Sequence, residues 1–280
     1  MKKLTLLTLV IISAFVFVVS FSTQSQAQKN SSSSSSRTFQ LPNSAVKIDE
    51  NIYKLGKAKD KDGKEVEGYA IIHYKNKGAK NGSAKGVRNQ CYGFLAEGAK
   101  WKSVEPWIVN PANIRGITDS FAFNNLTANI AKWEDAADGV LSNGSGVDIL
   151  GDGSITSSFL EADTVSPDGA NEIYFANVTD SSAIAVTIVW GVFGGPRTQR
   201  VLVEWDQVYD DVDYNWSETG EADKMDFENI ATHELGHSVG LNDLYTSNCS
   251  QETMYGYASN GETSKRDLNA GDIKGISTLY

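Results

Sequence analysis

The residues best placed to do chemistry lie in "HELGHSVGLND", His233 to Asp243. His233 and His237 are four apart, and each helical residue turns about 100°. On a helix the two imidazoles therefore point the same way, one turn apart, within reach of one zinc ion at about 2.0–2.1 Å. Glu234 sits beside that face, where it can take a proton from a zinc-activated water without being a ligand. Gly240 follows three residues after His237. A glycine there can adopt the left-handed conformation that ends a helix and turns the chain back, which would bring Asp243 round to the metal. Two histidines and one carboxylate make an ordinary catalytic zinc set. The reading is therefore His233, His237 and Asp243 as metal ligands and Glu234 as catalytic base. The charge of Asp243 should leave the zinc a weaker acid than three neutral histidines would. His73, the one histidine elsewhere in the chain, lies in a basic, strand-like segment and reads as a surface residue rather than a ligand.

These residues need a frame. Met225 to Gly240 reads as the helix that carries the histidines, with Asp226 as its cap and Phe227, Ile230, Leu235 and Val239 as its apolar spacing. Upstream, Phe123, Leu126, Ile130, Trp133 and Ala137 mark one face of a second helix. Thr118 or Asp119 can cap it, and Gly139 marks its end. "EVEGYAIIHYKNKG" alternates as a strand does, and "EPWIVNP" is a short strand ended by Pro111. "NEIYFANV", "AIAVTIVWG" and "RVLVEWDQV" are three further strands, with hairpin chemistry in "GGPRTQ" between the last two. "RVLVEWDQV" is expected to supply the cleft-edge strand that pairs with an extended peptide. The order of elements implies an α+β fold, a twisted mixed sheet packed on helices.

Not all 280 residues belong to that frame. Residues 1–27 read as a signal peptide: Lys2 and Lys3, an apolar run from Leu4 to Phe21, and a small-x-small site at Ser25-Gln26-Ala27. An uncleaved anchor is the alternative, since the run is just long enough to span a bilayer. After cleavage no further stretch is apolar enough to span. Residues 28–90 hold a serine-rich linker and a basic extension, and "GAKNGSAKG" within them is a turn-rich loop and candidate processing region. Gln28 to Lys102 carries 15 Lys/Arg against 7 Asp/Glu, whereas Ser103 to Tyr280 carries 8 against 28. The acidic body excludes nucleic acid as a partner on charge grounds. The basic segment could dock on it as a pro-segment docks on its enzyme, or simply form a basic surface. The two cysteines, Cys91 and Cys249, are an even pair in an exported chain and so are expected to form a disulfide. Such a bridge is worth about 4–5 kcal/mol in the chain-entropy model. Two buried thiols, or Cys91 as a zinc-blocking thiol, are the alternatives.

"HELGHSVGLND" with "TMYGY" downstream resembles the metzincin metalloendopeptidases. "MDFENIATHELGHSVGL" and "RDLNAGDIKGISTLY" are most similar to the matrixin branch, whereas the aspartate in third place resembles the snapalysin-type proteases. The resemblance covers about Lys100 to Tyr280. It implies a metzincin-like zincin catalytic domain over residues 91–280, with His233, His237 and Asp243 on Zn2+ and Glu234 as base. It also implies Met254 as the methionine of a turn forming an apolar floor under the metal, with Tyr255 and Tyr257 flanking a substrate-recognition wall. The matrixin third histidine is absent, and "RNQCYGF" around Cys91 departs from the matrixin latency latch. Calcium is a further expectation: "VDILGDGS" and "VEWDQVYDDVD" are carboxylate-rich, although their spacing fits no strict calcium loop and solvated surface is the preferred reading. The expected protein is a secreted, monomeric zinc endopeptidase acting on protein or peptide substrates. The rival is a non-catalytic extracellular binding module that keeps zinc for structure. Retention of Glu234 speaks against it, because a closed structural site needs no base.

Overall fold

The computed structural model describes residues 37–75 and 90–280, which fall within the compact unit Ser36–Tyr280. The signal-peptide and serine-linker readings, and the "GAKNGSAKG" loop, lie outside the described residues. In chain order the elements are β1 (Thr38–Phe39), β2 (Val46–Lys47), β3 (Ile52–Lys59), β4 (Glu65–Lys75), β5 (Trp107–Asn110) and α1 (Asp119–Asp135). There follow β6 (Gly153–Ile155), β7 (Asn171–Val178), β8 (Ala183–Val192), β9 (Val201–Asp210), β10 (Trp216–Ser217) and β11 (Met225–Asp226). The chain closes with α2 (Phe227–Ser238), β12 (Tyr257–Ala258) and α3 (Ala270–Leu279).

The main sheet runs β2-β3-β4-β8-β9-β7-β5-β6, with β1 on β7 and β12 on β4. From β6 to β9 the neighbours are parallel, and from β9 to β2 they are antiparallel. The sheet is thus mixed, the layout expected of an α+β metzincin-like catalytic domain. β8 is buried over Ala183–Gly191, as a strand covered on both faces must be. On one face Ile184, Val189, Trp205 and Tyr209 join Leu126, Ile130 and Trp133 of α1 and Ile230 and Leu235 of α2. On the other face Phe39, Leu55, Val66, Ala70 and Ile72 form a second layer with Val186, Ile188, Trp190 and Val208.

Helix α1 starts where its cap dictates: Thr118 Oγ1 accepts from Phe121 N at 3.3 Å. Past it, Gly139 has φ +91°, the left-handed turn only glycine takes freely. The start of α2 is wedged into aromatic rings, with Phe227 centroid distances of 5.1 Å to Tyr209, 5.7 Å to Phe175 and 5.8 Å to Trp216. Cys91 and Cys249 are bonded, with Cα atoms 5.2 Å apart, so neither is a free thiol.

Two expectations are overturned. β9 is hydrogen-bonded on both sides, to β7 and β8, because the hairpin folds β8 back along it. It is therefore no cleft edge; β8 lies outside it, next to β4. Most carboxylates of "VEWDQVYDDVD" are also not solvated surface: Glu204, Asp206, Asp210 and Asp211 are buried, and Asp213 is exposed. Among the described residues no helix is long and apolar enough to cross a membrane.

Candidate active site

Helix α2 begins at Asp226, whose Oδ1 accepts from Asn229 N at 2.9 Å and from Arg266 Nε at 2.8 Å. From Asn229 to Ser238 every residue of the helix is buried, and His233, Glu234 and His237 are 0 % exposed. The helix ends at Val239, and Gly240 follows with φ +105°. A Cβ there would also meet Ala99 O at 2.9 Å, so conformation and space both call for glycine. The reversal carries the chain to Asp243.

His233 Nδ1 lies 2.7 Å from Thr253 O, and His237 Nδ1 lies 3.0 Å from Leu241 O. A carbonyl can only accept, so both Nδ1 atoms carry the proton and both Nε2 atoms keep a lone pair. These Nε2 atoms and Asp243 Oδ1 are buried without a hydrogen-bond partner. Asp243 Oδ1 is 3.1 Å from His233 Nε2 and 3.6 Å from His237 Nε2. Three ligands bound tetrahedrally at about 2.0–2.1 Å lie about 3.3–3.4 Å apart, so the donor set fits a zinc ion. The other oxygen of Asp243 is held by Asn51 Nδ2 and, at 3.3 Å, by the Tyr245 hydroxyl.

Glu234 is engaged at both oxygens: Oε1 is 2.9 Å from His73 Nδ1, and Oε2 accepts from Thr187 Oγ1 at 2.5 Å. His73 is thus no surface residue. It is 1 % exposed, with its ring centroid 4.0 Å from that of His233. The reason is register: β4 pairs with β8, placing His73 opposite Ala185 and Ile71 opposite Thr187. Burial lowers the pKa of His73 to about 3, with the Lys265 charge adding to it. Burial also lowers His233 and His237 and raises Glu234. For Asp243 burial pulls upward, but the His237 and His233 rings outweigh it and hold the carboxyl below its ordinary range. Burial thus favours the neutral form of the histidines, the form that ligates metal.

Met254 lies under α2. A Cβ on Gly236 would fall 2.2 Å from Met254 Sδ and 2.9 Å from Trp133 Cζ2. Thr253 N and Met254 N donate to the Asp272 carboxylate at 2.7 and 3.1 Å. Asp272, in the first turn of α3, so fixes the turn whose Thr253 carbonyl orients His233. Tyr255 and Tyr257 stand next to each other, ring centroids 5.9 Å apart, and the Tyr257 hydroxyl bonds Glu50. The sequence reading missed His73, Asn51, Thr187, Gly236 and Asp272. His73 alone carried a signal, since it shares a strand face with the apolar Ile71.

Away from this centre, Asp163, Glu204 and Asp206 bring carboxylate oxygens within 4.8 Å of one another. Burial, then the neighbouring Asp206, pushes Glu204 up to about 10.

Residues 200–280 match the family model described as Matrixin, a segment holding β9, α2, the Met254 turn and α3. No curated protein matches the chain. Among solved structures it is similar to the crystal structure of metalloproteinase-II from Bacteroides fragilis, at 10% identity and a TM-score of 0.32. That superposition covers 82% of this chain and 77% of the other, and is too loose to carry an argument. The chain thus joins a metzincin-like α+β fold to a C-terminal segment similar to the matrixins, a family of metallopeptidases.

Proposed function

We propose that this chain is a secreted, zinc-dependent endopeptidase. The observation that carries the proposal is the convergence of three buried, unpartnered donor atoms, His233 Nε2, His237 Nε2 and Asp243 Oδ1, beside the Glu234 carboxylate. His233, His237 and Asp243 would hold Zn2+, which when bound supplies Lewis acidity toward a peptide carbonyl and a water. Glu234, freed from His73, takes the proton from that water and delivers it to the leaving amine. Its raised pKa, caused by burial, favours a group that must hold a proton for part of the cycle. Thr187 Oγ1 orients the carboxylate. Met254 packs beneath the helix as an apolar floor, and Asp272 holds the turn that presents it. A protein or peptide substrate in extended form would pair with β8 only in place of β4, which holds that side of β8 here, and main-chain hydrogen bonds would then give affinity.

Export is supported by the disulfide, which persists in oxidising compartments, and by the reading of residues 1–27 as a signal peptide. The net charge of −10 speaks against nucleic acid as a partner, and we take the protein to be a monomer. Calcium, if bound, would find its carboxylates at Asp163, Glu204 and Asp206 rather than in a surface loop. One observation favours a second reading, a non-catalytic binding module with a structural zinc: both oxygens of Glu234 are occupied.

The test compares parent and Glu234→Gln at equal zinc content with a quenched peptide, with and without chelator. The endopeptidase reading expects chelator-sensitive cleavage, reduced about 10²–10⁴-fold or more in the variant. Zinc-loaded protein of both kinds with no turnover, after opening of the β4 contact, supports the binding module instead.

A further inference from the structure

We infer that the Cys91–Cys249 disulfide is a positioning element of the metal centre: it clamps the small backbone patch from which all three ligands take their aim. The inference rests on the zinc reading above and extends it to what holds that site in shape.

The chain reversal after α2 lies between two other stretches of backbone. On one side Leu95 N donates to Gly240 O at 3.0 Å and Asn242 N donates to Gly93 O at 3.1 Å, with Phe94 opposite Leu241 in antiparallel sense. On the other side Leu244 N donates to Met254 O at 2.8 Å and Gly256 N donates to Leu244 O at 3.0 Å, with Leu244 beside Tyr255 in parallel sense. Three short runs of chain thus make one patch. His237 Nδ1 donates to Leu241 O at 3.0 Å, His233 Nδ1 donates to Thr253 O at 2.7 Å, and Asp243 belongs to the middle run. Partners behind a ligating histidine fix its ring, and losing one costs about 10–100-fold in metal affinity.

Runs this short are marginal on their own hydrogen bonds. The disulfide supplies a covalent tie. Cys91 stands two residues before Gly93, in the first run, and Cys249 stands in the loop that joins the second run to the third. Their bond therefore connects all three. Cys249 is 3 % exposed. The Cys91 end is seated as well, since a Cβ on Gly271 would run into Cys91 O. Gly271 N donates to Glu252 Oε2 at 2.9 Å, and Glu252 lies in the same loop as Cys249. The next residue, Asp272, holds Thr253 N and Met254 N. A shift of Cys91 is thus passed to the Leu241 carbonyl through residues 93–95 and to the Thr253 carbonyl through the start of α3.

The test replaces both cysteines by serine in the full chain and reads the centre with Co2+ in place of zinc, whose visible absorption reports ligand geometry. At a temperature where far-ultraviolet circular dichroism shows the variant folded, its Co2+ spectrum should differ from that of the parent. It should also lose zinc to a chelator about tenfold or more faster. A bridge that serves stability alone would lower Tm and leave spectrum and zinc retention unchanged, and that result in the folded variant overturns the inference. Should the variant not fold, the folded, zinc-loaded parent is reduced in place by a water-soluble phosphine. The phosphine takes the oxygen of a water, and the two hydrogens go to the sulfurs as the S–S bond becomes two thiols. Zinc leaving about tenfold faster before any loss of ellipticity supports the inference; zinc leaving only as ellipticity falls overturns it. An unaffected disulfide variant beside metal loss in Asp243→Ala leaves the zinc reading standing, whereas a parent that binds neither Zn2+ nor Co2+ removes both.

Discussion

Replacing Gly236 by alanine tests whether the floor under the metal depends on a missing side chain. The new Cβ would lie 2.2 Å from Met254 Sδ, 3.1 Å from Met254 Cε and 2.9 Å from Trp133 Cζ2. Trp133 is fully buried and Met254 is 2 % exposed, so neither can swing into solvent. Overpacking of this kind costs about 1–3 kcal/mol. Alanine regains about 0.5–1 kcal/mol over glycine inside a helix, leaving a net loss of up to about 2.5 kcal/mol. At this chain length that is a fall in Tm of up to about 10 °C. Displacing Met254 also drags Thr253, whose carbonyl orients His233, so metal retention should weaken with stability. The assay is a double-mutant cycle of thermal melts with Gly236→Ala, Met254→Ala and the pair. Met254→Ala alone should cost about 2–5 kcal/mol. In that background Gly236→Ala should become nearly neutral, a coupling of about 1–3 kcal/mol. Equal losses with and without Met254, or a stabilised single variant, would refute the reasoning.

Asp243→Ala should lose most of its zinc, measured as metal per chain after dialysis, while keeping its far-ultraviolet spectrum; unchanged zinc removes Asp243 from the site. The unreduced, denatured protein should show no free thiol. Replacing both cysteines by serine opens a bridge of sequence separation 158, worth about 5 kcal/mol in the chain-entropy model, so a Tm within a few degrees of the parent would contradict it. Glu204→Gln should stabilise the metal-free protein at neutral pH. The folded-state pKa of Glu204, about 10, stands above its ordinary 4.5, so the folded state binds the extra proton and stability falls as pH rises between those values. Melts in chelator should show a gain of roughly 2–4 °C, or about 1 kcal/mol, at pH 7–8 that vanishes below pH 4.5; a loss at pH 8 would refute it.

Local rules were legible in the sequence. Thr118, Asp226, Gly139 and Gly240 cap or end their helices where side-chain chemistry and φ require it. The i, i+4 histidines share a face because helices repeat every 3.6 residues. What could not be read was set by pairing between distant strands. Nothing local in "RVLVEWDQV" says that β8 folds outside it, and nothing in "AIIHYK" says that β8 is its neighbour. His73 therefore looked peripheral, although register carries it to Glu234. The need for a glycine at 236 likewise comes from Met254, on a separate turn, packing against it.

The pairing of β4 with β8 also bears on how the protein behaves in solution. A strand as apolar as "AIAVTIVWG", with its backbone groups unpaired along one side, is a template for aggregation. Here β4 covers that side. Residues Phe39, Leu55, Val66, Ala70 and Ile72 cover the second layer beside it. A fragment beginning at Cys91 would lose both covers at once. It should self-associate where the full chain stays dispersed, because the segment from residue 37 to 75 covers the sheet edge that would otherwise pair with another chain.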